Sequence, residues 1–150
     1  MNVMNAELLN TFFQRELERL KVEVTLFSNE EDLWKLRDGI SNTAGNLALH
    51  LIGNLNHFIG ATLGDTGYVR EKDLEFSNKN VPASVIIDDI DRTMGMVKNV
   101  LSNLSEEDLK KDYPLEKSFG KVSTAYLLIH LITHLNYHLG QINYYRRLEV

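Results

Sequence analysis

Near the start of the chain, apolar side chains recur at Leu8, Leu9, Phe12, Phe13, Leu17, Leu20, Val24 and Phe27, with Glu7, Arg15, Glu16, Glu18 and Arg19 among them. Steps of three and four residues place the apolar set on one face, so this segment predicts an amphipathic first helix. A polar break from Ser28 to Asp32 leads through Trp34 to Asp38 and Gly39, after which Ser41 or Asn42 is placed to cap a second helix. That helix is expected to end between Gly60 and Gly67, where glycines cluster. The charged segment from Arg70 to Lys79 predicts a loop. Pro82 suits the first turn of a third helix, with Ile86, Ile90, Val97, Leu101 and Leu104 on its inner face. Ser105, followed by Glu106, Glu107 and Asp108, predicts the cap of one further short turn. Asp112 to Lys121, with Pro114 and Gly120, predicts the last connection before a fourth long helix that continues toward Arg146. The pattern contains no strand pair and no internal repeat.

Two of these helices are unusual. Ile40 to Gly64 and Val122 to Tyr145 contain no Asp, Glu, Lys or Arg, and each is long enough to span a membrane. Their polar content argues against it: Asn46, His50, Asn54, Asn56 and His57 in the first, and His130, His134, Asn136, His138, Gln141 and Asn143 in the second, are costly in lipid. Both are read as helices deeply buried in protein. Two amphipathic and two nearly apolar helices joined by loops predict an all-α fold, a four-helix bundle formed by residues 1–150 as one domain. The surplus apolar surface of the second and fourth helices predicts a homodimer.

Charge and composition narrow the function. A formal net charge of -5, with Lys and Arg scattered rather than clustered, leaves no surface for a phosphate backbone, so nucleic acid is excluded as a partner. Cysteine is absent, which removes disulfides, zinc thiolates and cysteine nucleophiles and fits a reducing compartment. The N-terminal stretch carries acidic residues early and lacks a basic segment followed by an apolar one, so it does not read as a signal peptide. The expected location is cytoplasmic.

All five histidines lie in the two uncharged helices. At about 100° per residue, His130, His134 and His138 drift by about 40° per step, and Gln141 falls in the same stripe. On the second helix Asn46, His50, Asn54 and His57 form a similar stripe. The two stripes are expected to face each other across the bundle core. An i, i+4 pair of imidazoles converges on one ion, and a third imidazole from a facing helix completes a three-histidine site with its fourth position open. Such neutral ligands, with no thiolate or ligating carboxylate evident, suit a divalent transition metal, zinc or nickel first. Single buried histidines are more often hydrogen-bonded core residues, and His57 and His130 can each be read that way. Spacing leaves open whether His130 with His134, or His134 with His138, is the chelating pair.

The run from His130 through His134 and His138 to Gly140 and Gln141, together with Gly39 to Asn42 and His50 to Asn54, resembles the DinB/YfiT-like superfamily of metalloenzymes over most of the chain. The resemblance implies a four-helix bundle with metal ligands His50, His134 and His138. The segment from Asp65 to Phe76 is similar to one that follows the second helix in an uncharacterised branch. The usual family form is His-Arg-Gly-Gln, whereas Leu139 stands at the Arg position here, so an anion-binding Arg does not carry over. Characterised relatives include S-transferases that use low-molecular-weight thiols and a thiol-dependent isomerase, and others are described as metal-dependent hydrolases.

Two readings of function follow. In the first, a metalloenzyme ionises a thiol or a water at the open metal position. Its partner is then a small-molecule substrate, such as a low-molecular-weight thiol, with transfer or hydrolysis as the reaction. Asn54 is then near the substrate, His130 and Gln141 orient ligands or substrate, and His57 is a candidate proton carrier. In the second, a non-catalytic metal-binding or interaction protein uses the Arg70 to Phe76 loop to engage a partner.

Overall fold

The computed structural model describes residues 4–148, so the signal-peptide reading falls in part, at residues 1–3, outside the described residues. Four long helices carry the fold: α1 (Ala6–Leu26), α2 (Ala44–Leu55), α4 (Ala83–Ser102) and α6 (Thr124–Leu148). Two short ones, α3 (Lys72–Ser77) and α5 (Glu106–Lys110), lie between them. Among the described residues there is no β-strand. Each long helix packs against two others, giving the cyclic order α1, α4, α2, α6. The core at their centre includes Phe13, Leu17, Leu51, Leu55, Ile86, Ile90, Leu127 and Leu128, all excluded from solvent. No helix among the described residues is long and apolar enough to cross a membrane.

Local chemistry sets the helix ends. Asn5 caps α1 by accepting from the Leu8 amide at 2.8 Å. Thr43, rather than Ser41 or Asn42, caps α2: its Oγ1 accepts from the Asn46 amide at 3.0 Å. Pro82 occupies the cap position just before α4, and Ser105 with Asp108 forms a reciprocal capping box on α5. Beyond Leu55 the second helix widens into a π-helical stretch, Asn56–Ala61, before closing at Thr62–Gly64. It then stops at Asp65, whose φ of 49° is left-handed.

Two expectations need correction. The segment from Arg70 to Lys79 is not all loop, because it contains α3. Asn46 holds this helix onto α2 by donating from Nδ2 to the carbonyls of Glu75 and Asn78, at 2.9 and 2.8 Å. The outer face of α2 is therefore covered within the chain. Second, α6 is not buried all round. Its outward stripe leaves Tyr126, Tyr137 and Tyr144 more than half exposed among the described residues. Two amides of α6 lie away from the histidine stripe. Asn136 and Asn143 donate to Glu16 and Glu23 of α1, at 2.8 and 2.6 Å, and these buried acids also accept from Arg19 and Arg146 respectively.

Candidate metal centre

His50 of α2 and His134 and His138 of α6 converge in the groove between these two adjacent helices, beneath α3. The site is at the edge of the bundle rather than across its core. His50 Nε2 lies 3.2 Å from His134 Nε2, and His138 Nε2 lies 3.1 Å from the same atom. The rings meet edge to face, and one ligand atom from each of the three lies within 4.8 Å of the others.

Two of the rings are fixed from behind. His50 Nδ1 lies 3.0 Å from Glu75 Oε1, and a carboxylate only accepts, so the proton sits on Nδ1. His138 Nδ1 lies 2.7 Å from Gln141 Oε1 and donates to it in the same way. Both Nε2 lone pairs therefore point at His134 Nε2, which carries at most one proton. One of the two close approaches is then lone pair against lone pair, and a cation among the three nitrogens removes the conflict. Zinc-to-imidazole bonds of about 2.0–2.1 Å in a tetrahedron separate the nitrogens by about 3.3 Å, close to the spacing seen here. The donor set fits a borderline-soft divalent ion.

Sequence reasoning missed Glu75 and Arg70, which stand behind His50. Arg70 makes a two-point contact with Glu75, Nε to Oε2 and Nη2 to Oε1, each at 2.9 Å. Burial pushes the Glu75 carboxyl up, but hydrogen bonds from His50 and Arg70, with the Arg70 charge, outweigh it and hold Glu75 below its ordinary range. It is ionised at neutral pH. Gly53, one turn after His50, leaves the gap into which this carboxylate fits. Phe76 packs on the His50 ring with centroids 4.9 Å apart.

Burial, followed by the charges of His138 and His50, lowers the His134 imidazole to about 4. Burial also lowers His138, against the hydrogen bond to Gln141 that favours its charged form. Among the described residues His134 Nδ1 is buried without a hydrogen-bond partner, as is Asn54 Oδ1. A metal ligand ordinarily donates its distal N–H, so the ring calls for an acceptor at that point.

Asn54, His57 and His130 are not in the cluster. They line a cavity of about 570 Å³ that opens against His50 and His134. Burial, then the charges of Arg70 and Lys117, lowers His57, which is neutral at pH 7. The π-helical turn sets this wall. Its Phe58 carbonyl accepts from Tyr113 Oη at 2.6 Å, and such turns recur at functional sites. His130 is exposed and tilted toward Phe119, with centroids 6.1 Å apart. Leu139 is buried and lines a cleft beside Glu23 of α1, so the family's Arg position does not face the cluster. On the opposite side, His138 and Gln141 border a second cavity lined by Tyr137, Tyr144 and Tyr145.

The sequence model of the DinB superfamily matches residues 13–142. No curated protein matches the chain. Among solved structures, a conserved protein from Enterococcus faecalis superposes with a TM-score of 0.73 at 16% identity, over 97% of this chain and 98% of its own. A DinB-like protein from Bacillus cereus superposes with a TM-score of 0.70 at 21% identity, over 92% of this chain and 90% of its own. These structures share the fold, and with the sequence match they establish that the chain belongs to the DinB superfamily.

Proposed function

We propose that this protein is a metal-dependent enzyme in which His50, His134 and His138 hold zinc or nickel and act on a small-molecule substrate, a low-molecular-weight thiol first. The observation that carries the reading is the convergence of three Nε2 atoms at 3.1 and 3.2 Å, with two of the rings locked as Nδ1–H tautomers. A divalent ion with an open position supplies acidification of a bound thiol or water, giving a nucleophile at neutral pH. The protein's own groups do the rest. Glu75 and Gln141 hold two rings in register, and His57, neutral and on the cavity wall, is the group that takes up the released proton. Phe58 and Phe119 add aromatic surface to that wall.

A cytoplasmic setting is part of the proposal, since low-molecular-weight thiols are kept reduced there. So is a homodimer. The stripe of Tyr126, Tyr137 and Tyr144 runs about 27 Å along α6, and a second copy would cover it. The test of the enzymatic reading is metal content after gentle purification, followed by turnover of thiol and electrophile pairs with and without metal. Metal-dependent turnover is expected. A protein that refuses zinc and nickel, or one that is loaded yet inert to every thiol and hydrolysable ester, overturns it.

A further inference from the structure

The protein as a whole carries a net charge of -5, yet among the described residues the cavity beside the histidine cluster is walled by Arg70, Lys72 and Lys117 and by no carboxylate. Arg70 is committed to Glu75, which leaves Lys72 and Lys117 without a carboxylate on that wall. The cavity also holds Asn54, 93% buried by its 7% exposure, with its carboxamide oxygen unpartnered. Phe58 and Phe119 add aromatic surface to the lining, with centroids 6.2 Å apart. At about 570 Å³ the space matches a small metabolite.

From this juxtaposition we infer that the cavity is a subsite for the carboxylate end of the substrate, bound by Lys72 and Lys117. The inference rests on the proposed function and deepens it: the substrate is an organic acid whose other end reaches His50 and His134. Cations gathered on a partly enclosed wall select an anion and raise its local concentration. The cations of this subsite are Lys72 and Lys117, since position 139 lines a different cleft. They come from the segment before α3 ends and from the connection before α6, so neither depends on the α6 motif.

The test compares N-acetylcysteine with its amide, a pair that differs only in the carboxylate. Binding is measured by calorimetry and amide chemical shifts, on metal-free and zinc-loaded protein. The acid should bind about five- to tenfold more tightly than the amide, and added salt should shrink the difference. Lys72→Ala combined with Lys117→Ala should abolish the preference, while Lys72→Arg with Lys117→Arg should keep it. Equal affinities for the two probes, a preference that survives the double alanine change, or no binding of the acid at millimolar concentration overturns the subsite. The two readings fail separately. A charge preference in a protein that takes up no metal leaves the subsite standing and sinks the metal centre, whereas zinc-dependent binding blind to charge does the reverse.

Discussion

Gly53→Ala is a small change with a specific expected consequence. A Cβ at this position would lie 2.0 Å from Glu75 Oε2 and 2.6 Å from its Cδ, so the carboxylate has to swing away. Alanine in a helix interior is worth about 1 kcal/mol over glycine, which stabilises α2. Against this stands the loss of the Glu75 contacts to His50 and Arg70. Deleting one partner of a buried pair costs about 3–5 kcal/mol, but a displaced carboxylate still reaches water, so about 1–3 kcal/mol is expected here. The net is about 0–2 kcal/mol, a fall in melting temperature of no more than about 8 °C for a chain of this size. Metal affinity should respond far more. Without its acceptor the His50 ring loses its fixed tautomer, and losses of this kind are about 10- to 100-fold.

The assay is zinc competition against a chromophoric chelator, with thermal melts of the metal-free protein alongside. Glu75→Ala supplies the cycle. Because both changes act through one carboxylate, the double variant should lose no more affinity than Glu75→Ala alone. Full affinity in Gly53→Ala beside a large loss in Glu75→Ala, or losses that simply add, would refute the reasoning.

Other expectations follow from the same geometry. His50→Ala or His134→Ala should nearly abolish zinc uptake while His130→Ala reduces it far less, since only the first two reach the cluster; equal losses at all three would contradict this. Sedimentation at micromolar concentration should show a dimer that Tyr137→Lys weakens, and a monomeric wild type would end that proposal. In metal-free protein followed by NMR, the His134 ring should titrate near 4 rather than near 6.5. The unfolded chain takes up this proton first, so the group's share of stability is intact above about pH 6.5 and is lost as pH falls toward about 4. A midpoint at 6.5 would show that His134 is not desolvated as described.

Much of the bundle could be read directly from spacing, because hydrophobic period and capping chemistry are local. Phe13, Leu17 and Leu20, at helical steps on α1, are core residues, and Ser105 with Asp108 caps α5 as its sequence predicts. What spacing could not reveal was which uncharged face meets solvent. Tyr126, Tyr137 and Tyr144 look like core residues by composition, yet they lie where a ring of four helices leaves an outer side open. The α2 cap shifted to Thr43 for a local reason that the sequence also contained: Thr43 stands three residues before Asn46, and its hydroxyl both accepts from the Asn46 amide and donates to Oδ1 at 2.6 Å.

The histidine stripes were likewise visible, but the groups that orient them were only half so. Gln141 sits three residues after His138, within reach on the same helix. Glu75 is 25 residues from His50, in a stretch where Glu71 and Asp73 are solvent-exposed, so nothing local distinguishes it from a solvated acid. The one available signal was Gly53, a glycine in the middle of an apolar helix, which is costly unless something must approach the backbone there. The pairing of Glu75 with Arg70 also has an electrostatic logic. A lone carboxylate behind His50 would fix the tautomer but place a full negative charge beside the centre, offsetting the charge of any bound cation. The two-point contact from Arg70 cancels that charge while leaving Oε1 in place to accept from Nδ1. Three neutral imidazoles backed by a neutralised acid would leave a bound divalent ion its full charge.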